Sequence, residues 1–188
     1  MVERYRARGD IAAAVAVRRG SFSAARSVTA YQQLREICQQ DGTWQATREW
    51  ALDLLRADAA RVTGTSSRGP QRATSALLID VLVADGDVTG AWQAAQGVAT
   101  DAQWLMLADM VAESRPADAL AVYRRLIDAL RTQAGDGVYE RMAQLLISAR
   151  ACHARLGTGS AFDSYLRALR ADQSRKRRLI RILDAHQL

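Results

Sequence analysis

Cys152 and His153 are the adjacent residues whose types come closest to a catalytic or metal-binding pattern. A thiol beside an imidazole can form a nucleophile pair or half of a metal site. A zinc ion needs about four ligands, three of them from the protein in catalytic sites, and the only other cysteine and histidine are Cys38 and His186. Neighbouring residues on a helix also point about 100° apart. We therefore expect both side chains to pack in the core, with no metal and no cofactor bound.

The carboxylates are placed as helix caps rather than as an acid–base pair. Asp85 and Asp87 flank a turn glycine, and Asp118 follows Pro116 at the start of a helical pattern. Such positions suit N-caps and the positive end of the helix dipole. The segment 157–159 is Gly-Thr-Gly and lacks the lysine and the spacing of a phosphate-binding loop. The sequence therefore predicts no catalytic residue, and we expect the chain not to be an enzyme.

The C-terminal segment is the strongest candidate for a binding surface. Between Arg167 and Arg181 there are seven basic residues and one acid, Asp172. If residues 161–186 form one helix, an apolar side opposes a cationic side that spans about 100°. The arginines predicted on that cationic side are Arg167, Arg170, Arg177, Arg178 and Arg181. Three interpretations stay open: a solvated edge of the fold, a nucleic-acid site and a site for an acidic protein partner.

The overall charge supports the nucleic-acid interpretation only weakly. The net charge is +6, and lysine occurs once among the 26 basic residues. A bias towards arginine, with abundant alanine, glycine and valine, fits a GC-rich genome as well as it fits a function. No apolar stretch approaches the roughly 20 residues of a membrane span, and the N-terminus does not lead into a signal-like apolar run. These features predict a cytoplasmic protein that does not associate with membranes.

The sequence predicts that these candidate residues lie on helices. Ala, Leu, Arg and Gln are abundant, only 2 prolines occur, and 49% of the residues are hydrophobic. The periodicity and turn residues predict eight to ten helices: 3–19 ending at Gly20, one capped by Ser23, one capped by Thr43, 72–84, one capped by Asp87, one capped by Asp101, one from Pro116 to Leu130, 138–156, and a last one capped by Ser160. The four tryptophans, Trp44, Trp50, Trp92 and Trp104, are expected to pack between these helices.

Short connections between helices favour antiparallel neighbours. Turns followed by helices that carry an aromatic residue recur at uneven intervals of roughly 30–45 residues, which is near the range of paired-helix repeats. The predicted fold is therefore all-α, with antiparallel helix pairs stacked as a degenerate tetratricopeptide-like α-solenoid. We expect one domain over residues 1–188. The segment 63–70, rich in Gly, Ser and Thr, is expected to form a mobile loop between two helical halves.

The second half of the sequence resembles the C-terminal helical region of bacterial, mostly actinobacterial, SWIM zinc-finger proteins. The residues that carry the resemblance are Gly86-Asp87, Ala91-Trp92, Trp104-Leu105, Pro116–Leu120, Tyr123–Leu126, Tyr139, Ala143, Leu145-Leu146, Arg150, Phe162, Tyr165-Leu166, Leu169-Arg170, Arg175–Arg177, Leu179 and Leu183. The Cys-x-Cys and Cys-x-His ligands of the zinc finger are missing. The resemblance therefore implies a region C-terminal to the finger, or a paralogue without one, in a nucleic-acid or chromosome-associated setting.

Two functions follow from these observations. The first is a non-enzymatic helical-repeat interaction module that binds a protein partner in the groove of the solenoid. The second is a nucleic-acid-binding accessory domain that uses the arginine-rich C-terminal helix. The sequence identifies neither the partner nor the oligomeric state.

Overall fold

The fold is all-α, as the sequence predicts. The computed structural model describes the backbone of residues 10–63 and 70–188 and the side chains of residues 10–60 and 76–188. No strand occurs in these ranges. The helices are α1 (Ile11–Ala24), α2 (Val28–Gln40), α3 (Trp44–Thr63), α4 (Pro70–Ala84), α5 (Val88–Ala94), α6 (Asp101–Val111), α7 (Pro116–Leu130), α8 (Asp136–Arg155), α9 (Gly159–Asp172) and α10 (Arg177–Ala185).

The chain divides into two compact units, Met1–Gln103 and Trp104–Leu188. In the first unit, α2 packs against α1, α3 and α4, and α4 also packs against α3 and α5. In the second unit, α8 is the central helix and packs against α7, α9 and α10. The tetratricopeptide-like stacking and the single domain stay predictions. Residues 64–69, where most of the predicted loop falls, lie outside the described residues.

Several helix boundaries follow the turn chemistry of the sequence. Asp87 caps α5, because its side chain accepts a hydrogen bond of 2.8 Å from the backbone N–H of Gly90. Gly86 precedes it with a φ of +83°, a left-handed conformation that side chains other than glycine's rarely adopt. Pro116 begins α7, where a proline loses no hydrogen bond. Gly157, with a φ of +68°, follows the end of α8.

The prediction that Gly20 ends the first helix and Ser23 caps the next is wrong. Helix α1 continues through Gly20 to Ala24, and the cap of α2 is Ser27, whose side chain accepts a hydrogen bond from Ala30 N–H. The added turn carries Phe22, which is completely buried. Burial of one aromatic side chain outweighs the cost of about 1 kcal/mol for glycine inside a helix.

The cap of α6 is also one residue earlier than predicted. Thr100, rather than Asp101, accepts a hydrogen bond of 3.2 Å from the backbone N–H of Gln103. The Gln103 side chain in turn accepts a hydrogen bond of 3.2 Å from Thr100 N–H. This reciprocal pair is a capping box, a pattern that is present in the sequence as Thr-x-x-Gln. Gln103 is buried and also donates to the Ala76 carbonyl and the Asp80 carboxylate.

The C-terminal segment forms two helices, so the prediction of one helix over residues 161–186 is wrong. Helix α9 begins at Gly159, one residue before the predicted cap Ser160, and ends at Asp172, and α10 begins at Arg177. In the connection, the Lys176 ammonium donates to the carbonyls of Arg131 and Gln133 at the end of α7. A continuous helix of that length would extend about 39 Å, beyond the roughly 30 Å of α8. The break lets both α9 and α10 pack on α8.

Candidate interaction surface on the last helix

Cys152 and His153 belong to the core of the second unit, as predicted. Cys152 is completely buried, and burial raises the pKa of its thiol. A thiol of raised pKa is a poor nucleophile, because the reactive species is the thiolate. His153 is 4% exposed; its Nδ1 lies 2.7 Å from the Thr158 hydroxyl, and its ring lies against Phe162 with centroids 5.7 Å apart. Both side chains pack between helices rather than face a cleft.

The other chemical candidates also hold the fold together. Asp118 pairs with Arg115 at 2.7 Å in the first turn of α7. Trp44 meets the edge of Tyr31 with ring centroids 5.3 Å apart, and the guanidinium of Arg35 lies 6.0 Å from its ring centroid. Across the described side chains, no three His, Cys, Asp or Glu residues form a group that could hold a metal ion.

Asp85 forms a buried ion pair that the sequence did not reveal. Its carboxylate is 5% exposed, contacts the Arg48 guanidinium directly and lies 3.6 Å from that of Arg35. Tyr31 is completely buried beside this group, and its pKa lies well above the ordinary value of 10.0, first because of burial and then because of the negative charge of Asp85. Arg48 and Asp85 are 37 residues apart, and no local pattern in the sequence indicates that they meet.

Helix α10 separates its apolar and cationic residues cleanly. Leu179 and Leu183, one turn apart, are completely buried, as predicted. Arg177, Arg178 and Arg181 are exposed. With 100° per residue, these arginines centre on the side of the helix opposite to the two leucines. The apolar side therefore serves folding, and the cationic side faces solvent.

Polar contacts hold α10 in place at both ends. Arg178 Nε lies 2.5 Å from Asp136 at the start of α8. In the last turn, His186 Nε2 lies 2.7 Å from the Glu140 carboxylate, and this hydrogen bond holds the pKa of Glu140 below its ordinary value. Arg150 of α8 donates to the Gln187 carbonyl at 2.9 Å. The position of α10 is thus fixed by its buried leucines and by hydrogen bonds.

The five arginines predicted as one cationic face have different surroundings. Arg170 is half-buried and donates to Asp184 and to the Leu188 carbonyl, so it holds α9 to α10. Arg178 pairs with Asp136. Arg167, on the exposed side of α9, donates to the Ser164 hydroxyl at 3.1 Å.

Arg177 and Arg181 have no carboxylate within 4 Å among the described side chains. Arg175, in the connection before α10, is likewise exposed and has no carboxylate neighbour in the part of the chain that the structure describes. We call Arg175, Arg177 and Arg181 together the arginine surface. On one continuous helix Arg175 falls outside the predicted arc, so the sequence alone does not indicate it as a candidate residue.

No protein-family model, curated protein or solved structure matches the chain. Among the described residues, no helix is both long enough and apolar enough to cross a bilayer.

Proposed function

We propose that this chain is a non-enzymatic helical interaction module that binds an anionic partner through the arginine surface. The observation that carries the proposal is the contrast within α10. Its leucines are buried and Arg178 is paired, whereas Arg177 and Arg181 are exposed with no carboxylate of the described residues in reach. Exposed guanidinium groups on a fixed helix suit carboxylate or phosphate groups, which they bind in a planar, two-pronged geometry.

The burial of Cys152 and His153 supports a module without catalysis, because it keeps this thiol and this imidazole away from solvent. Both cysteines of the chain, Cys38 and Cys152, are buried free thiols. This fits a reducing compartment, and we place the protein in the cytoplasm. From the resemblance to the C-terminal helical region of SWIM zinc-finger proteins, we propose that the module is the C-terminal part of a SWIM zinc-finger-like protein. The tetratricopeptide-like stacking is part of this proposal.

A nucleic-acid-binding accessory domain is the second candidate function. Its support is the distribution of charge, since the unit Trp104–Leu188 has 14 basic residues and 9 acidic residues. The unit Met1–Gln103 has 12 basic and 11 acidic residues and is close to neutral. A local excess of positive charge attracts phosphate groups, and binding of that kind weakens steeply with salt.

The test is salt-dependent elution from immobilised heparin, a polyanion. The test variant carries Arg177→Gln and Arg181→Gln. The control variant carries Arg56→Gln and Arg141→Gln, which remove the same charge from two exposed arginines of α3 and α8. We expect the test variant to elute at distinctly lower salt than the parent, with the control close to the parent. Equal elution of the two variants would show that the arginine surface has no special part in anion binding, and the proposed function would be wrong.

A further inference from the structure

We propose that the arginine surface binds an acidic protein segment in which two carboxylates lie about 6 Å apart, as on successive turns of a helix. This inference rests on the proposed function and specifies its partner. It follows from three features of the second unit: the use of its own carboxylates, the spacing of the exposed arginines and the surroundings of α10.

The second unit has already engaged nearly all of its own carboxylates. Each of eight acidic residues lies within hydrogen-bond or ion-pair distance of a basic residue or a tyrosine hydroxyl: Asp109 with Tyr123, Glu113 with Arg155, Asp118 with Arg115, Asp128 and Asp172 with Arg131, Asp136 with Arg178, Glu140 with His186, and Asp184 with Arg170. Asp163 is the remaining acid of the unit. The second unit therefore has few unengaged carboxylates of its own to offer the arginine surface.

The spacing of the arginines fits carboxylates that are one helical turn apart. Arg177 and Arg181 are four residues apart on α10, which places their Cα atoms about 6 Å apart along the helix axis. Glutamates at positions i and i+4 of a second helix have the same spacing. Because α10 is already held by its leucines and its end contacts, binding does not require the backbone to become ordered, and this favours affinity.

The surroundings of α10 favour a short acidic segment over a nucleic acid. Strong binding to DNA usually involves about 6–10 phosphate contacts, and the arginine surface offers three guanidinium groups. The aromatic residues of α9 are not available for base stacking, because Phe162 is buried and the guanidinium of Arg124 lies 5.0 Å from the ring centroid of Tyr165.

The experiment measures binding of the full chain to labelled probes by fluorescence anisotropy at low salt. One probe is an alanine-rich helical peptide of about 20 residues with glutamate at every fourth position. A matched peptide has glutamine at those positions, and a third probe is a short DNA duplex with the same label. Three proteins are compared: the parent, the variant with Arg177→Gln and Arg181→Gln, and the control variant with Arg56→Gln and Arg141→Gln. Thermal unfolding establishes that all three are folded.

We expect the parent to bind the glutamate peptide more tightly than the glutamine peptide and the duplex. The test variant should bind the glutamate peptide about tenfold more weakly, as for the loss of two exposed ion pairs, and the control should retain the parent's affinity. The inference is overturned, while the proposed function stands, if the duplex binds more tightly and loses affinity in the test variant alone. If neither anionic probe distinguishes the test variant from the control, the inference and the proposed function are both wrong.

Discussion

Individual arginines of the two units have different surroundings. In Met1–Gln103, Arg48 contacts the buried carboxylate of Asp85, and Arg26 lies 2.9 Å from Asp58. In Trp104–Leu188, Arg177 is exposed with no carboxylate within 4 Å among the described side chains. Within ten residues of Arg177 the sequence has six arginines, compared with two around Arg48 and four around Arg26. Whether an arginine has a carboxylate partner therefore depends on the contacts of the fold, which the number of arginines in a segment does not show.

We expect the largest change in stability from a substitution on the apolar side of α10, which holds the helix that carries the exposed arginines. We expect Leu183→Ala to lower the free energy of unfolding by about 2–5 kcal/mol, because the side chain is completely buried and its removal leaves a cavity. Leu156→Ala is the control, since Leu156 is 38% exposed. Urea denaturation of both variants provides the measurement. A loss at Leu183 no greater than that at Leu156 would contradict the packing of α10.

The buried ion pair of the first unit should respond nearly as strongly. Asp85→Asn removes the carboxylate that lies closest to the Arg48 guanidinium and leaves the longer contacts with Asp87 and Glu49. We expect a loss of about 2–3 kcal/mol, below the full cost for a buried pair, because Arg48 is partly exposed and keeps these contacts. Asp53→Asn removes a carboxylate from the exposed pair with Arg56 and should change stability by no more than about 0.5 kcal/mol. If urea denaturation gave equal losses for the two variants, arginine would not be part of the first unit's core.

Each unit also holds a buried tyrosine near an aspartate. We expect these tyrosines to have a smaller effect, on the stability of the fold at alkaline pH. The pKa of Tyr31 and that of Tyr123 lie above the ordinary value of 10.0, mainly because of burial, and Tyr123 also donates to Asp109 at 2.7 Å. Above pH 10 these hydroxyls lose their protons more readily in the unfolded state than in the folded state. The folded state therefore keeps its full stability below pH 10 and loses stability as the pH rises above it.

We therefore expect stability to fall above pH 10, and to fall less steeply in a variant with Tyr31→Phe and Tyr123→Phe. Chemical denaturation at neutral and alkaline pH measures the slope, and tyrosinate absorbance reports the ionisation. At neutral pH, Tyr123→Phe alone should cost about 1 kcal/mol through the lost hydrogen bond. An unchanged alkaline slope in the double variant would show that these two hydroxyls ionise normally in the folded protein.

The sequence predicts local features of this fold better than its long-range ones. The start of α7 at Pro116, the cap at Asp87 and the burial of Leu179 and Leu183 follow from turn chemistry and periodicity. The break between α9 and α10 is not visible in this way, because the residues around it tolerate a helix. Tertiary contacts, such as those of Lys176 with the end of α7, determine it.

The sequence predicted only part of the candidate surface, because the pairing of its arginines also depends on tertiary contacts. A helical projection placed Arg170 and Arg178 beside Arg177 and Arg181, since it considers one helix alone. Such a projection cannot show that Arg170 lies close to Asp184 and Arg178 close to Asp136. Those contacts depend on how α10 packs on α8 and α9. Separating the arginines that have a carboxylate partner from those that have none among the described side chains required the structure.

The most direct test of whether Arg177 and Arg181 are available to a partner compares the unfolding free energies of two double variants. Arg177→Gln with Arg181→Gln should change stability by no more than about 0.5 kcal/mol, because the fold makes no ion pair with these residues among its described side chains. Arg170→Gln with Arg178→Gln should cost about 1–2 kcal/mol, because it removes the contacts with Asp184, Asp136 and the Leu188 carbonyl. We expect the second double variant to lose more stability than the first. Equal losses, or a larger loss for the first variant, would show that Arg177 and Arg181 serve the fold and are not available to a partner.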